Sequence, residues 1–225
     1  MLVSSIKPHS QVIICNPNNP TGTLVGKTTM KELAAALLKL DCKLIIDEAF
    51  IEFTDSYPEN SMVDMVEEFG NLAVIRAATK FFGMPGIRLG YAVTADKGAA
   101  KAAKELMEPW NINSAAVIAA CSVFDDRCYI ERSRYWIKNE RKYLFEGLGS
   151  LKALKIYPSA ANFHLIEIKD ERMTALQLKE NMAEGGILIR TADGFNGLSE
   201  FYFRLAVKDR SSNDKLLKML REIME

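Results

Sequence analysis

Lys80 follows the apolar run "LAVIRAA", precedes two phenylalanines, and stands eight residues ahead of Arg88 in the glycine-punctuated stretch "TKFFGMPGIRLGY". A primary amine can condense with an aldehyde, and lysine is the one side chain that carries such an amine. A lysine in apolar surroundings is costly unless it is paired, neutralised or chemically used. Arginine offers a planar set of donors suited to phosphate or carboxylate. Two further stretches carry chemistry. "KLIIDEAFIEF" sets Asp47 and Glu48 at the end of an apolar run with no histidine nearby to complete a metal site, and "CNPNNPTGTLV" can present the amide of Asn19. Each also has a plainer reading: a surface lysine whose stem packs, acids that cap a helix, and a tight turn.

Short strands alternate with amphipathic helices through the first half, in the order "QVIIC", "TTMKELAAALLKL", "KLIID", "SMVDMVEEF", "LAVIRAA", "IRLGYAV". This pattern predicts an α/β fold built on a mostly parallel sheet. Thr29 and Glu32 have capping-box spacing at the start of the first helix. Three helices are predicted over 97–107, 113–124 and 126–149. After "LGSLKAL" the pattern turns to "ANFHLIEI", a helix near 174–184, "GILIR", "FYFRLAV" and a final helix capped by "SSND". Residues 1–150 therefore read as one domain and 151–225 as a smaller α+β domain. In an open α/β sheet the ligand crevice lies outside the carboxyl ends of the strands, so the three chemical stretches are expected to converge.

A chain of 225 residues with 48% hydrophobic content can bury a substantial core. Twenty-nine basic residues balance twenty-nine acidic ones, which argues against nucleic acid or an anionic membrane as partner and for a small molecule. The four cysteines lack metal-ligand spacing and read as reduced, and no apolar run approaches the ~20 residues of a membrane helix. A cytoplasmic protein without a metal is expected.

Taken together, "NPNNPTG", "IIDEAF" and "TKFFGMPGIRLGY" match in identity, order and spacing the class I/II aminotransferases, and the chain resembles this fold-type-I family of pyridoxal-phosphate enzymes from about Gln11 onward. The resemblance implies pyridoxal 5'-phosphate as cofactor. Lys80 would be joined to its aldehyde, Asp47 would pair with the pyridinium nitrogen, Asn19 would bond the ring oxygen, and Arg88 and Thr79 would hold the phosphate. It also implies a homodimer. Within the family the chain is similar to the threonine-phosphate decarboxylases and the histidinol-phosphate aminotransferases, which act on phosphorylated amino compounds. "EPWNIN", "GILIRTADGFNGL", "FYFRLAVKDRSSNDKLLKML" and Phe50, where the aminotransferases commonly have tyrosine, favour the decarboxylase. That reading implies formation of aminopropanol phosphate for cobalamin synthesis.

By the same resemblance Arg204 binds the substrate carboxylate and Arg190 lies near its phosphate; cross-strand pairing with acids such as Glu167 is the alternative. Asn113 reaches substrate or caps a helix, and His164 is a strand residue. Ala77 departs from the family, which usually has serine or threonine three residues before the lysine. The chain begins almost at the first motif, so an N-terminally truncated member is expected. Two classes of function follow: a decarboxylase or aminotransferase, or a non-catalytic fragment or subunit.

Overall fold

A computed structural model describes residues 3–224; Met1, Leu2 and Glu225 lie outside the described residues. The chain forms two compact units, one of residues up to Pro17 and from Leu24 to Glu131, the other of Asn18–Thr23 and residues from Arg132 onward.

The first unit is built on a sheet ordered β1 (Gln11–Cys15), β2 (Lys43–Asp47), β3 (Leu72–Ala77) and β4 (Gly90–Thr94). The first three strands are parallel, and Cys15 and Asp47 at the carboxyl ends of β1 and β2 lie in register with Ile75, two residues before the end of β3. β4 runs antiparallel to β3. A parallel return needs a long crossover, usually a helix. Here only α2 (Ala78–Phe81) and a turn at Pro85–Ile87 separate the two strands.

Helix α1 (Lys27–Leu38) buries Met30, Ala34 and Leu37, one stripe at helical spacing, in a core with Leu44, Ile46, Leu72 and Val74. The expected capping box at Thr29 does not form. The helix begins at Lys27 with Gly26 as N-cap and no side-chain cap. Buried Asn16 explains the earlier start, since it donates to the Val25 carbonyl at 3.0 Å and accepts from its N–H at 2.8 Å, fixing the entry to the helix. Nor is "SMVDMVEEF" an α-helix; it holds one 3-10 turn at Val63–Met65. The Glu48 carboxylate accepts from Ser61 Oγ and Met62 N, both at 2.7 Å, which anchors the start of this segment. α3 (Lys97–Leu106), α4 (Ser114–Val123) and the start of α5 (Arg127–Gly149) complete the unit.

The second unit holds an antiparallel sheet ordered β5 (Leu154–Ile156), β6 (Phe163–Ile168), β8 (Tyr202–Ala206) and β7 (Arg190–Thr191). Helices α6 (Ala175–Glu184) and α7 (Arg210–Met224) belong to it. Thr174 and Gln177 form a capping box at α6. At α7 the cap is Asp209, whose carboxylate accepts from Ser212 N at 3.0 Å and Ser212 Oγ at 2.8 Å, so "SSND" forms the first turns instead of the cap. The sequence pattern changes near residue 150, but the compact unit takes in α5 from Arg132. Ile137, Leu144 and Leu148 of that helix are buried, and Arg141 donates to the Ala160 carbonyl at 3.1 Å. Helical periodicity marks a buried face without saying which sheet it covers. Among the described residues no helix is long and apolar enough to cross a membrane.

Candidate active site

Asp47 ends β2 and is half-buried, with Oδ1 accepting from Ala49 N at 2.9 Å. Alternation along the strand sends Leu44, Ile46 and Glu48 into the core and leaves Asp47 on the opposite face. Lys80 lies on the short helix α2, which starts directly from β3. The structure does not bury this lysine. Its side chain is exposed, and among the described residues no carboxylate pairs with its amine. Thr79 beside it is buried. Ala77 is the N-cap of α2 and supplies no capping bond.

Arg88 follows the Pro85–Ile87 turn in left-handed backbone, at φ 57 and ψ 49. That conformation costs a non-glycine residue about 1–2 kcal/mol. Its guanidinium is exposed and donates to the Pro85 carbonyl at 3.0 Å. Asn113 belongs to the same turn, because its Nδ2 donates to the Ile87 carbonyl at 2.9 Å while its Oδ1 caps α4 by accepting from Ala116 N at 2.8 Å. The amide thus serves the backbone at both ends.

In the second unit Arg204 donates to Asn19 Oδ1 and lies over the Phe163 ring at 4.7 Å. Burial, and then the charge of Arg190, push the Arg204 pKa below its ordinary value. Arg190 is its register partner across β7 and β8. The expected alternative, pairing with Glu167, is not what forms. Glu167 accepts from Lys155 at 2.9 Å and Tyr157 at 2.7 Å, and among the described residues no carboxylate pairs with either arginine. Like charges placed directly opposite each other are destabilising, and an anion would relieve the pair. His164 is a buried residue of β6 whose pKa burial lowers.

Sequence reasoning missed a buried cluster of Glu48, Glu52 and Arg76 in the first unit. Burial raises the pKa of both glutamates; for Arg76 burial acts downward, but Glu52 and Tyr57 together outweigh it and hold its pKa above the ordinary value. The signal was present: Arg76 occupies an inward position of a strand whose other inward residues, Leu72 and Val74, are apolar.

An amine, a carboxylate and a guanidinium at the carboxyl end of a parallel sheet suit a pyridine aldehyde bearing a phosphate. The family model for aminotransferase class I and II matches residues 2–220, and the chain belongs to that family. Its fold is that of the fold-type-I transferases: the histidinol-phosphate aminotransferase of Clostridium acetobutylicum superimposes with a TM-score of 0.90 at 39% identity, over 95% of this chain and 63% of that one. The threonine-phosphate decarboxylase of Salmonella typhimurium is 30% identical over 95% of the chain and 57% of its own length. The histidinol-phosphate aminotransferase of Thermoanaerobacter sp. is 37% identical over the same shares. The chain therefore spans somewhat under two thirds of the relatives it matches.

Proposed function

We propose that the chain is part of a pyridoxal-phosphate enzyme that acts on a phosphorylated amino acid, with threonine phosphate decarboxylation as the reaction. Lys80 would hold the cofactor covalently, Asp47 would keep its ring nitrogen protonated, Asn19 would bond the ring oxygen, and Thr79 and Arg88 would grip its phosphate. When bound, the cofactor supplies an electron sink for the substrate's α-carbon. Arg204 would bind the substrate carboxylate and Arg190 its phosphate, with Asn113 holding the Arg88 turn in place. By orienting the groups on the α-carbon, Arg204 would decide which bond breaks, and the Lys80 amine would return a proton to that carbon after carbon dioxide leaves. The product would be aminopropanol phosphate, a building block for cobalamin.

The observation that carries this reading is the register pair Arg190 and Arg204, two cations with no carboxylate partner among the described residues, as a substrate with two anionic groups requires. Borohydride reduction after adding pyridoxal phosphate, followed by peptide mapping, tests attachment to Lys80. Carbon dioxide release from threonine phosphate, set against glutamate-dependent transamination, tests the reaction.

A second reading, a histidinol-phosphate-type aminotransferase, is favoured by the identities of 37% and 39% to two such enzymes. There Lys80 would move a proton away from the α-carbon. A reading of another class, a non-catalytic fragment or subunit, is favoured by the exposure of Ile13 at 67% and Ile75 at 41% on a sheet face that parallel sheets ordinarily cover. A preparation that gains no absorbance with the cofactor supports it. Four unpaired cysteines fit a cytoplasmic setting, and a homodimer is the assembly proposed.

A further inference from the structure

Arg76, Glu48 and Glu52 are 4%, 0% and 8% exposed, so three ionisable groups share one dry site in the first unit. Arg76 Nη2 donates to Glu52 Oε1 at 2.6 Å and to Tyr57 Oη at 3.1 Å, while Nη1 reaches Glu48 Oε2 and Ser61 Oγ, both at 3.3 Å. Glu48 also accepts from Ser61 Oγ and Met62 N. The cluster therefore joins the end of β2, the 3-10 turn Ile51–Phe53, the 57–62 loop and the end of β3.

Stability alone does not account for such a group. Buried ion pairs replaced by apolar side chains of similar volume often leave a protein as stable or more so, and in some proteins such groups contribute conformational specificity instead. Here the specificity has a geometric meaning. Side chains alternate along a strand, and a slip of one residue moves every side chain to the other face. Glu48 satisfies its carboxylate only when it points inward, which sets its neighbour Asp47 on the outer face. On β3 the inward Arg76 ends the strand at Ala77, and α2 with Lys80 starts one residue on.

We propose that Glu48 and Arg76 are positioning residues: with Glu52 they fix the face on which Asp47 is presented and the point at which the turn bearing Lys80 leaves the sheet. The proposal rests on the roles given to Asp47 and Lys80 above, but its first readout needs no cofactor. Glu48 N donates to the Ile75 carbonyl at 2.8 Å and Ala78 N to the Leu89 carbonyl at 3.1 Å, and exchange of these two amides reports the two strand ends.

The test is the triple variant Glu48→Met, Glu52→Leu, Arg76→Met. It should fold with an unchanged or higher unfolding midpoint, yet exchange the Glu48 and Ala78 amides on the order of tenfold faster than the parent relative to Ile46, and take up borohydride-fixed pyridoxal phosphate at Lys80 correspondingly more slowly. Glu52→Gln, which keeps the acceptor for Arg76, should restore parental values. A folded triple variant with parental exchange at both amides overturns the proposal. Should the triple variant not fold, Glu48→Gln decides by the same exchange measurement, with faster exchange supporting the idea and parental exchange refuting it. Failure of the parent chain to take up cofactor at Lys80 would count against the proposed function and leave the exchange result standing.

Discussion

Arg204 donates to the Asn19 side-chain oxygen from 185 residues further along the chain, and its guanidinium lies 4.7 Å from the centre of the Phe163 ring. Neither contact neutralises its charge. Arg204→Lys keeps the charge but loses the planar fork and the stacking. Because a hydrogen bond to a charged group contributes about 1.5–3 kcal/mol, affinity for a phosphorylated amino acid should fall roughly tenfold or more. Titration of threonine phosphate into the parent and variant proteins checks this. Equal affinities would remove Arg204 from the site.

Lys80 is exposed and makes no ion pair among the described residues, so its removal should cost the fold little. Lys80→Ala is expected to stay within about 0.5 kcal/mol of the parent in urea unfolding, as surface substitutions do. It should nonetheless lose all borohydride-fixed cofactor. A variant that kept the label would place the chemistry on another amine.

Gly22 has φ +73, and a Cβ built there would lie 2.0 Å from Ser159 Oγ. Its carbonyl accepts from Ala160 N at 2.8 Å, which ties the Asn19 loop to the segment before β6. Gly22→Ala should therefore destabilise the second unit by more than about 1 kcal/mol, through both backbone strain and the clash. Adding Ser159→Gly removes the two nearest side-chain atoms but leaves the Ser159 Cα at 3.1 Å and the backbone strain, and it gives up the bond from Ala161 N to Ser159 Oγ, so the double variant should recover only part of the loss. Denaturant midpoints of the three proteins settle the division.

The parallel core, the chemical stretches and most helices were legible because each rests on a local pattern: Val12 to Cys15, Leu44 to Ile46 and Leu72 to Ile75 are apolar runs followed by polar or turn residues. Lys80, Asp47 and Arg88 could be singled out by residue type and position after a strand, whereas Arg190 and Arg204 were reached only through the family resemblance. The direction of β4 was not legible, since it depends on how few residues α2 and the Pro85–Ile87 turn consume. Caps were misread where a distant side chain intervened. Asn16 fixes the entry to α1, and Glu48 holds the start of the 61–69 segment, which forms a 3-10 turn at Val63–Met65. The buried cluster escaped because its members lie up to 28 positions apart and two of them, Glu48 and Glu52, look in sequence like ordinary surface acids.

The buried imidazole and the buried acids should give the two units opposite responses to pH. His164 is held neutral by burial, so its folded pKa lies below 6.5. As pH falls through that value the unfolded chain takes up a proton first, and the stability present above it is lost on acidification, with a slope of at most about 1.4 kcal/mol per pH unit. His164→Gln, which retains a donor for the Arg141 carbonyl that Nε2 faces at 3.2 Å, should flatten this loss. Glu48 and Glu52 act with the reverse sign, because burial raises their pKa values above 4.5. Their protonated forms are favoured in the folded state, so the stability they contribute is fully present below 4.5 and declines as pH rises through the raised values. Hydrogen exchange followed from pH 7 to pH 5, corrected for intrinsic rates, separates the two. Core amides of β6 and β8 should lose protection, those of β2 and β3 should gain it, and Glu52→Gln should diminish the gain without altering the loss. Uniform loss across both sheets would refute the assignment of the acids.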